Sequence, residues 1–388
     1  MSETARSVYT VDLTCRSLPY DTHLIEGLRE YGVEVDLWSA GCFSESADRS
    51  GALPVLDVAG NIPHPDVRKV AKGGEYLFNL AVLHWKMRME SPEIIHYQWL
   101  PFTENFPIIE VLNLKLAKRS GAGVIHTVHN VLPHDTEEQY RDVFQRIYQI
   151  PDALICHTKE SRQRLVQNFG VSSSNVWVIP HGPLSSDLPS VSRQEARERL
   201  QVASRVPLCL LFGHIRPYKG VEFLLESWYQ VKKRVPAARL VLAGKPEKKY
   251  EQVLWSKMEE LGLENEVDTH FKFLPKKELD LWVQAADILV YPYRDITQSG
   301  ALLKGLATGK PVLATDIGGF RETIRHDETG VLVEYGKPNQ MSNAIVRLLG
   351  DRDKRDKLGR KGREMVATEY SWGEIARKTM KCYQSVID

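Results

Sequence analysis

Short runs of apolar residues, many of them β-branched or aromatic, recur at 7–13, 33–38, 94–97, 123–128, 153–157 and 176–179. Longer stretches lie between most of them, 23–31 and 106–118 for example, in which apolar residues return every three or four positions. The short runs predict strands and the three-to-four spacing predicts amphipathic helices, so the alternation reads as parallel α/β structure. The same rhythm restarts at 207–212, 239–243, 267–273, 287–291, 312–314 and 331–333. Between the two series, 183–205 is polar and carries no strand signal, as a linker running into a charged helix would. Helices are expected at 340–350 and 353–368, followed by a last amphipathic stretch ending at Val386. The halves share a rhythm but no repeated sequence. Two Rossmann-like domains are therefore expected, 1–185 and 186–370, with a C-terminal helix at 371–388 packing back onto the first.

Size and composition narrow the reading. A chain of 388 residues, 43% apolar, is long enough for two cores, since single cores stop growing at roughly 250–300 residues. Lys and Arg number 51 against 50 Asp and Glu, a net charge of +1. No global field draws in nucleic acid, so an anionic ligand must be met by local charge. The five cysteines, Cys15, Cys42, Cys156, Cys209 and Cys382, are scattered and form no CxxC pair, which suits a reducing cytoplasm. The first residues contain no apolar run behind a basic head, and no stretch of about 18 apolar residues occurs. Neither secretion nor a membrane span is expected.

The stretch richest in chemistry is Leu211-Phe-Gly-His-Ile-Arg-Pro-Tyr-Lys-Gly220. It reads as a strand, a tight loop holding Arg216 and Lys219, and a helix beginning near Gly220. Free amides and the positive dipole end at a helix start favour an anion, and two cations strengthen this into a diphosphate platform. A random basic pair is more often just solvated; the strand-loop-helix context argues against that here. A second platform is suggested by Tyr291-Pro-Tyr-Arg-Asp-Ile-Thr-Gln-Ser-Gly300, where Ser299 and Gly300 begin a helix and let backbone amides approach a ligand. An ordinary N-cap and a packing glycine is the plainer alternative. Two such helix starts at strand carboxyl ends in one α/β domain shift the balance towards a ligand site.

Other candidates are weaker. His126, His129 and His134 lack the further ligands of a zinc site, and only His129, at a strand end, suggests a direct role. Asp351-Arg-Asp353 resembles a metal-holding pair but reads more simply as a capped, solvated helix start. The stretch from Val67-Arg-Lys-Val-Ala-Lys72 to His84-Trp-Lys-Met-Arg88 mixes aromatic, aliphatic and basic residues. Core packing with a charged outer face is the first reading for it, and peripheral contact with an anionic membrane the second.

Taken in order and spacing, these segments resemble a family 4 glycosyltransferase of the GT-B fold. The likeness extends over nearly the whole chain: Ile94-Ile-His-Tyr-Gln98, His126-Thr-Val-His-Asn-Val-Leu-Pro-His134 and Val178-Ile-Pro-His-Gly182 in the first domain, then 213–220, Gly309-Lys-Pro-Val-Leu-Ala-Thr315 and Gly318-Gly-Phe-Arg-Glu322 in the second. The resemblance implies two Rossmann-like domains facing an interdomain cleft. It also implies transfer of a sugar from a nucleoside-diphosphate sugar to an acceptor hydroxyl with retention, the donor phosphate taking the acceptor's proton. The cationic loop and the two helix starts can neutralise a diphosphate by themselves, so no metal or other cofactor is expected. Arg216 and Lys219 match the cations that hold the diphosphate, and His129 matches the histidine facing the donor sugar. Gly213, His214, Thr297, Gln298, Ser299, Gly300 and Lys304 fall at donor-binding positions. Acceptors in this family include glycans and lipid-linked molecules, which keeps open a peripheral contact at the inner membrane face for an enzyme expected in the cytoplasm.

Two departures stand out. His214 occupies a place where the family often has arginine, so Arg216 is a displaced equivalent. The family's paired glutamates are replaced by Ile296 and Lys304. An ammonium donates where a carboxylate accepts, so Lys304 either meets the nucleotide differently or points away, and Asp295, Thr297 and Gln298 are the nearest polar substitutes. The missing glutamates keep open a catalytically silent GT-B protein that binds nucleotide or partners a transferase. A nucleotide-sugar epimerase would need paired carboxylates, for which Asp135 and Glu137 are candidates without an evident pairing. No strand is followed by the GxGxxG of a nicotinamide dehydrogenase.

Overall fold

The computed structural model describes residues 7–39, 52–133, 138–184 and 191–388. The chain divides into two compact units, Met1–Gly182 with Trp372–Asp388, and Pro183–Ser371.

In the first unit β1 (Ser7–Asp12), β2 (Glu34–Ser39), β3 (Ala52–Pro54), β4 (Ile94–Tyr97), β5 (Gly123–Val128), β6 (Ala153–Cys156) and β7 (Val176–Val178) form one sheet. Its order is β3-β2-β1-β4-β5-β6-β7, and every pairing is parallel. The crossovers carry α1 (Leu18–Glu30), α2 (Pro65–Glu90), α3 (Pro107–Arg119), α4 (Arg141–Tyr148) and α5 (Lys159–Phe169). Strands covered on both faces are largely apolar, and β4 is buried at all four positions, its one histidine, His96, hydrogen-bonded to Tyr383 and Thr127. Tyr76, Leu83, Leu114, Ile147 and Leu165, from α2 to α5, build the core on one face. On the other face, α1 supplies Leu24 and Leu28. The edge strand β3, three residues ending in proline, adds a seventh strand to the six that the apolar runs predict.

In the second unit β8 (Leu208–Phe212), β9 (Arg239–Ala243), β10 (Val267–His270), β11 (Ile288–Tyr291), β12 (Val312–Thr315) and β13 (Val331–Val333) form a parallel sheet of order β10-β9-β8-β11-β12-β13. The helices are α6 (Arg193–Arg199), α7 (Val221–Arg234), α8 (Lys248–Leu261), α9 (Lys276–Ala285), α10 (Gly300–Ala307), α11 (Gly318–Thr323), α12 (Pro338–Gly350) and α13 (Arg352–Glu369). They bury the sheet between one cluster around Trp228 and Met341 and another around Trp282 and Phe320. The Asp351 carboxylate accepts the Lys354 amide hydrogen at 2.8 Å and caps α13.

The last helix, α14 (Trp372–Ile387), belongs to the first unit. It lies on α1, where Gly27 leaves room for the Trp372 carbonyl, and its Tyr383 hydroxyl meets His96 Nδ1 at 2.8 Å. In both sheets the strand order reverses, at β1/β4 and at β8/β11, and ligands of doubly wound folds bind at such switch points.

Cys15 is disulfide-bonded, which departs from the all-thiol chain expected of scattered cysteines, while Cys156, Cys209 and Cys382 are buried thiols. Among the described residues, no helix is long and apolar enough to cross a membrane.

Candidate functional site

At the switch point of the second unit, β8 runs into a loop locked by backbone geometry. Gly213 has φ of +91°, and its amide donates to the Ala243 carbonyl at 2.9 Å. Ile215, fully buried, donates to the Lys245 carbonyl at 3.0 Å. Pro217–Lys219 then makes one 3-10 turn, and Gly220, with φ of +62°, caps α7. A side chain on Gly220 would land on the Pro292 carbonyl, so only glycine fits this crossing. The Arg294 amide donates to the Tyr218 carbonyl at 2.8 Å, tying this loop to the one after β11.

That packing decides the state of Lys219. Its side chain turns inward: the residue is 5% exposed, Nζ donates to the Phe212 carbonyl at 3.2 Å and lies 5.3 Å from the centre of the Tyr293 ring. It has no ion pair among the described residues. Burial, and secondarily the Arg216 charge, push its ammonium down to about 7. Arg216 is exposed at the loop's tip. His214, also exposed, is shifted below the usual histidine range by burial first and then by Arg216 and Lys219. The result is a loop with an exposed guanidinium at its tip and, behind it, a desolvated amine that has no counter-ion among the described residues.

The neighbouring loop ends in the α10 N-terminus. Ser299 Oγ accepts the Leu302 amide hydrogen at 3.2 Å, the N-cap bond expected of serine here. Gly300 follows, half-buried against Leu184. Thr297 and Gln298 are half-buried beside Gly319, whose amide donates to the Ile296 carbonyl at 3.2 Å.

The two positions of the replaced glutamates have structural partners. Ile296 is buried in the apolar cluster with Tyr293 and Phe320. Lys304 pairs with Asp280 on α9, which also holds Lys276 at 3.1 Å. Of the alternatives for Lys304, this is the one in which it turns to the protein: a largely buried carboxylate needs a counter-charge, and Lys304 supplies it. In this structure the Lys304 ammonium is therefore engaged by Asp280 rather than left free for a ligand.

In the first unit, the carboxyl ends of β4, β5 and β6 gather a histidine relay. His157 Nδ1 faces the Ile179 carbonyl at 2.9 Å and must carry the proton, because a carbonyl only accepts. Burial holds His157 down to about 4, so it is neutral and its Nε2 is bare. Nε2 therefore accepts from His129 Nδ1 at 3.1 Å. His129 is itself held well below 6.5 by burial and then by His157, leaving its Nε2 as a bare acceptor. That nitrogen is buried with no hydrogen-bond partner among the described residues.

The His129 ring stacks on Trp99 at 4.7 Å and 11°, and Tyr20 meets its edge at 5.1 Å. Trp99 Nε1 donates to Ser17 Oγ at 2.8 Å, and the Arg16 guanidinium lies 5.4 Å from the Trp99 ring. His126 is structural, bonded to the Tyr97 carbonyl at 3.1 Å. His134, Asp135 and Glu137 lie outside the described residues. No group of histidine, cysteine or carboxylate side chains among the described residues is arranged to hold a metal ion.

The sequence reading missed Trp99, His157, Asp280 and a carboxyl pair. Asp12 and Asp21 are fully buried and hydrogen-bonded to each other; burial first, and Asp12 second, push the Asp21 carboxyl well above its usual range. Ser17 donates its amide to Asp12 at 3.0 Å, and its hydroxyl lies 3.4 Å from Asp21. The pair thus braces the β1–α1 turn.

Two doubly wound parallel sheets that share a six-strand order, the first with one strand more, each with its loops and helix starts at the switch point, define the GT-B class. Residues 22–182 match the family described as Glycosyltransferase Family 4, and residues 192–365 match Glycosyl transferases group 1. The chain belongs to the family 4 glycosyltransferases.

A D-inositol 3-phosphate glycosyltransferase of Nocardia farcinica is 28% identical over 244 residues, 61% of this chain and 53% of that protein. A GDP-mannose-dependent alpha-(1-6)-phosphatidylinositol monomannoside mannosyltransferase of Mycobacterium tuberculosis is 28% identical over 246 residues, 61% of this chain and 63% of that one. The matched region thus spans between half and two thirds of each relative. The fold is also that of Anabaena HepE, solved in complex with UDP-glucose: TM-score 0.73, 16% identity, 97% of this chain and 99% of that one.

Proposed function

We propose that this protein transfers a hexose from a nucleoside-diphosphate sugar to an acceptor hydroxyl with retention of configuration. The observation that carries the reading is Lys219, a desolvated amine at the start of α7 with no carboxylate partner among the described residues. An isolated buried ammonium is costly, and a diphosphate is the ligand that offsets the cost. Arg216, Lys219 and the free amides at Ser299 and Gly300 stabilise the charge that develops as the glycosidic bond breaks. Gly213 and His214 keep the loop tight against the nucleotide, and Thr297 and Gln298 supply polar groups in place of the absent glutamates. His129 orients the donor sugar, its bare Nε2 accepting a sugar hydroxyl, with Trp99 holding the ring in place.

In this reading the donor phosphate takes the acceptor's proton, so no protein nucleophile acts. The two cations and helix starts neutralise the leaving group without a metal. The acceptor is a glycan, a lipid-linked molecule or a small alcohol, met in the cytoplasm or peripherally at the membrane's inner face. The packing of Ile296 in the apolar core and the Lys304–Asp280 ion pair favour one alternative, a GT-B protein that binds nucleotide without turnover. Calorimetric titration of wild type, Arg216→Ala and Lys219→Ala with UDP, GDP and ADP tests the reading. One nucleotide binds wild type, and each change weakens it while circular dichroism stays the same. Unchanged affinity in both variants removes the diphosphate site; binding without any donor turnover leaves the silent alternative.

A further inference from the structure

Helix α2 is apolar on two opposite sides. Tyr76, Leu80, Leu83 and Met87 face the core of the first unit. Val67, Val70, Leu77, Phe78, Trp85 and Met89 are exposed, with Val70 at 77%, Trp85 at 60% and Met89 at 66%. At 100° per residue these six fall within a stripe about 120° wide, running about 33 Å along the helix. Core packing explains the first side and leaves the second without a partner.

Helix α3 repeats the arrangement. Leu114 and Ala117 are in the core, while Ile108, Leu112 and Leu116 are exposed. The two helices lie on the same face of the sheet, bonded through Tyr76 to Glu110 at 2.9 Å and His84 to Asn113 at 3.0 Å. Their outer stripes therefore share one surface. Single exposed apolar residues need no explanation, but nine on two adjacent helices make a patch of the size that marks an interaction site.

Charge identifies the occupant. The two helices carry eight Lys and Arg against four Asp and Glu, and one of the four, Glu110, is buried. Arg88 falls on the α2 stripe by helical position, Arg119 falls on that of α3, and Lys115 flanks its edge. A two-fold contact with a second copy would set these cations against their own equivalents. An anionic lipid surface instead accepts the cations and the apolar stripe together, as for helices that lie in the headgroup layer.

We propose that the α2–α3 face of the first unit docks on an anionic lipid bilayer, with Phe78 and Trp85 entering the acyl boundary and Arg88, Lys115 and Arg119 meeting the headgroups. This deepens the peripheral-membrane part of the proposed function, but it rests on exposure and charge, so vesicle binding and nucleotide binding fail independently.

The test is flotation of the full chain with phosphatidylcholine vesicles, with and without phosphatidylglycerol, at low and high salt. Wild type floats with the anionic vesicles and is released by salt. Phe78→Ser/Trp85→Ser abolishes flotation, and each of Lys115→Gln and Arg119→Gln weakens it about fivefold. The fold of the double variant is checked by circular dichroism and by its nucleotide affinity, both unchanged. Wild type that stays with the soluble fraction overturns the proposal, as does a double variant that floats like wild type. A dimer in size exclusion, indifferent to vesicles and broken by the double change, replaces the bilayer with a second copy.

Discussion

Replacing Lys219 by methionine separates what this residue does for folding from what it does for a ligand. The folded ammonium is held at about 7, against an ordinary 10.5, mainly by burial. An unfolded lysine is protonated up to that higher value while the folded one is not, so folding stability rises with pH between the two and is reduced below them. At pH 7.5 the penalty is roughly 4 kcal/mol at about 1.36 kcal/mol per pK unit. Methionine has similar volume and no charge, so part of this is recovered, less the bond to the Phe212 carbonyl. A net gain of about 1–3 kcal/mol is expected, which for a domain of this size raises Tm by several degrees. Nucleotide affinity falls at least about tenfold in the same variant, because a charge-assisted bond is lost.

Wild-type affinity also follows the proton. If the bound form needs the ammonium, affinity drops about fivefold from pH 7 to 8 and about ninefold from pH 8 to 9. Scanning calorimetry and nucleotide titration over that range measure both effects. A Lys219→Met protein that is less stable than wild type and binds nucleotide equally well refutes the reasoning.

Three further outcomes follow from other parts of the molecule. Lys304→Met leaves Asp280 with Lys276 alone and costs about 1–3 kcal/mol in urea unfolding, with nucleotide affinity unchanged; a large affinity loss would return Lys304 to the donor site. Gly220→Ala costs about 2 kcal/mol or more, because φ is positive and the methyl group meets Pro292, and it abolishes nucleotide binding; a denaturation midpoint equal to wild type contradicts the crossing described. The first unit is acid-labile: burial holds His96 and His181 at about 3 and His126 and His157 at about 4, whereas unfolded histidine gains a proton below about 6.5. The stability present above that value is lost as pH falls towards 4, by about 1.4 kcal/mol per histidine at pH 5.5, and equal urea midpoints at pH 7.5 and 5.5 would contradict it.

Much of the fold was legible because buried parallel strands are continuous apolar runs with sharp ends. β4, β5, β9 and β13 begin and end where those runs do. β3 was missed because Ala52, Leu53 and Pro54 are too few to show a period, and proline weakens any strand signal. The predicted run at 267–273 stops as a strand at His270, and Phe273 is left 80% exposed.

The loop cations were visible as residue types at a helix start, but the burial of Lys219 was not, since it depends on Tyr293 from a later crossover. Long-range pairing hid the rest. Asp280 and Lys304 lie on different helices, and Trp99, His129 and His157 meet only when three strands align their carboxyl ends. Asp351 was legible as a cap because its partner lies three residues away.

The most direct test of the central claim is release of nucleoside diphosphate from a panel of UDP-, GDP- and ADP-sugars incubated with the purified protein and candidate acceptors. The account predicts release from donors of one base, strengthened by an acceptor and strongly reduced in Arg216→Ala and Lys219→Ala. No release from any donor, with no nucleotide bound by the wild-type protein, would contradict it.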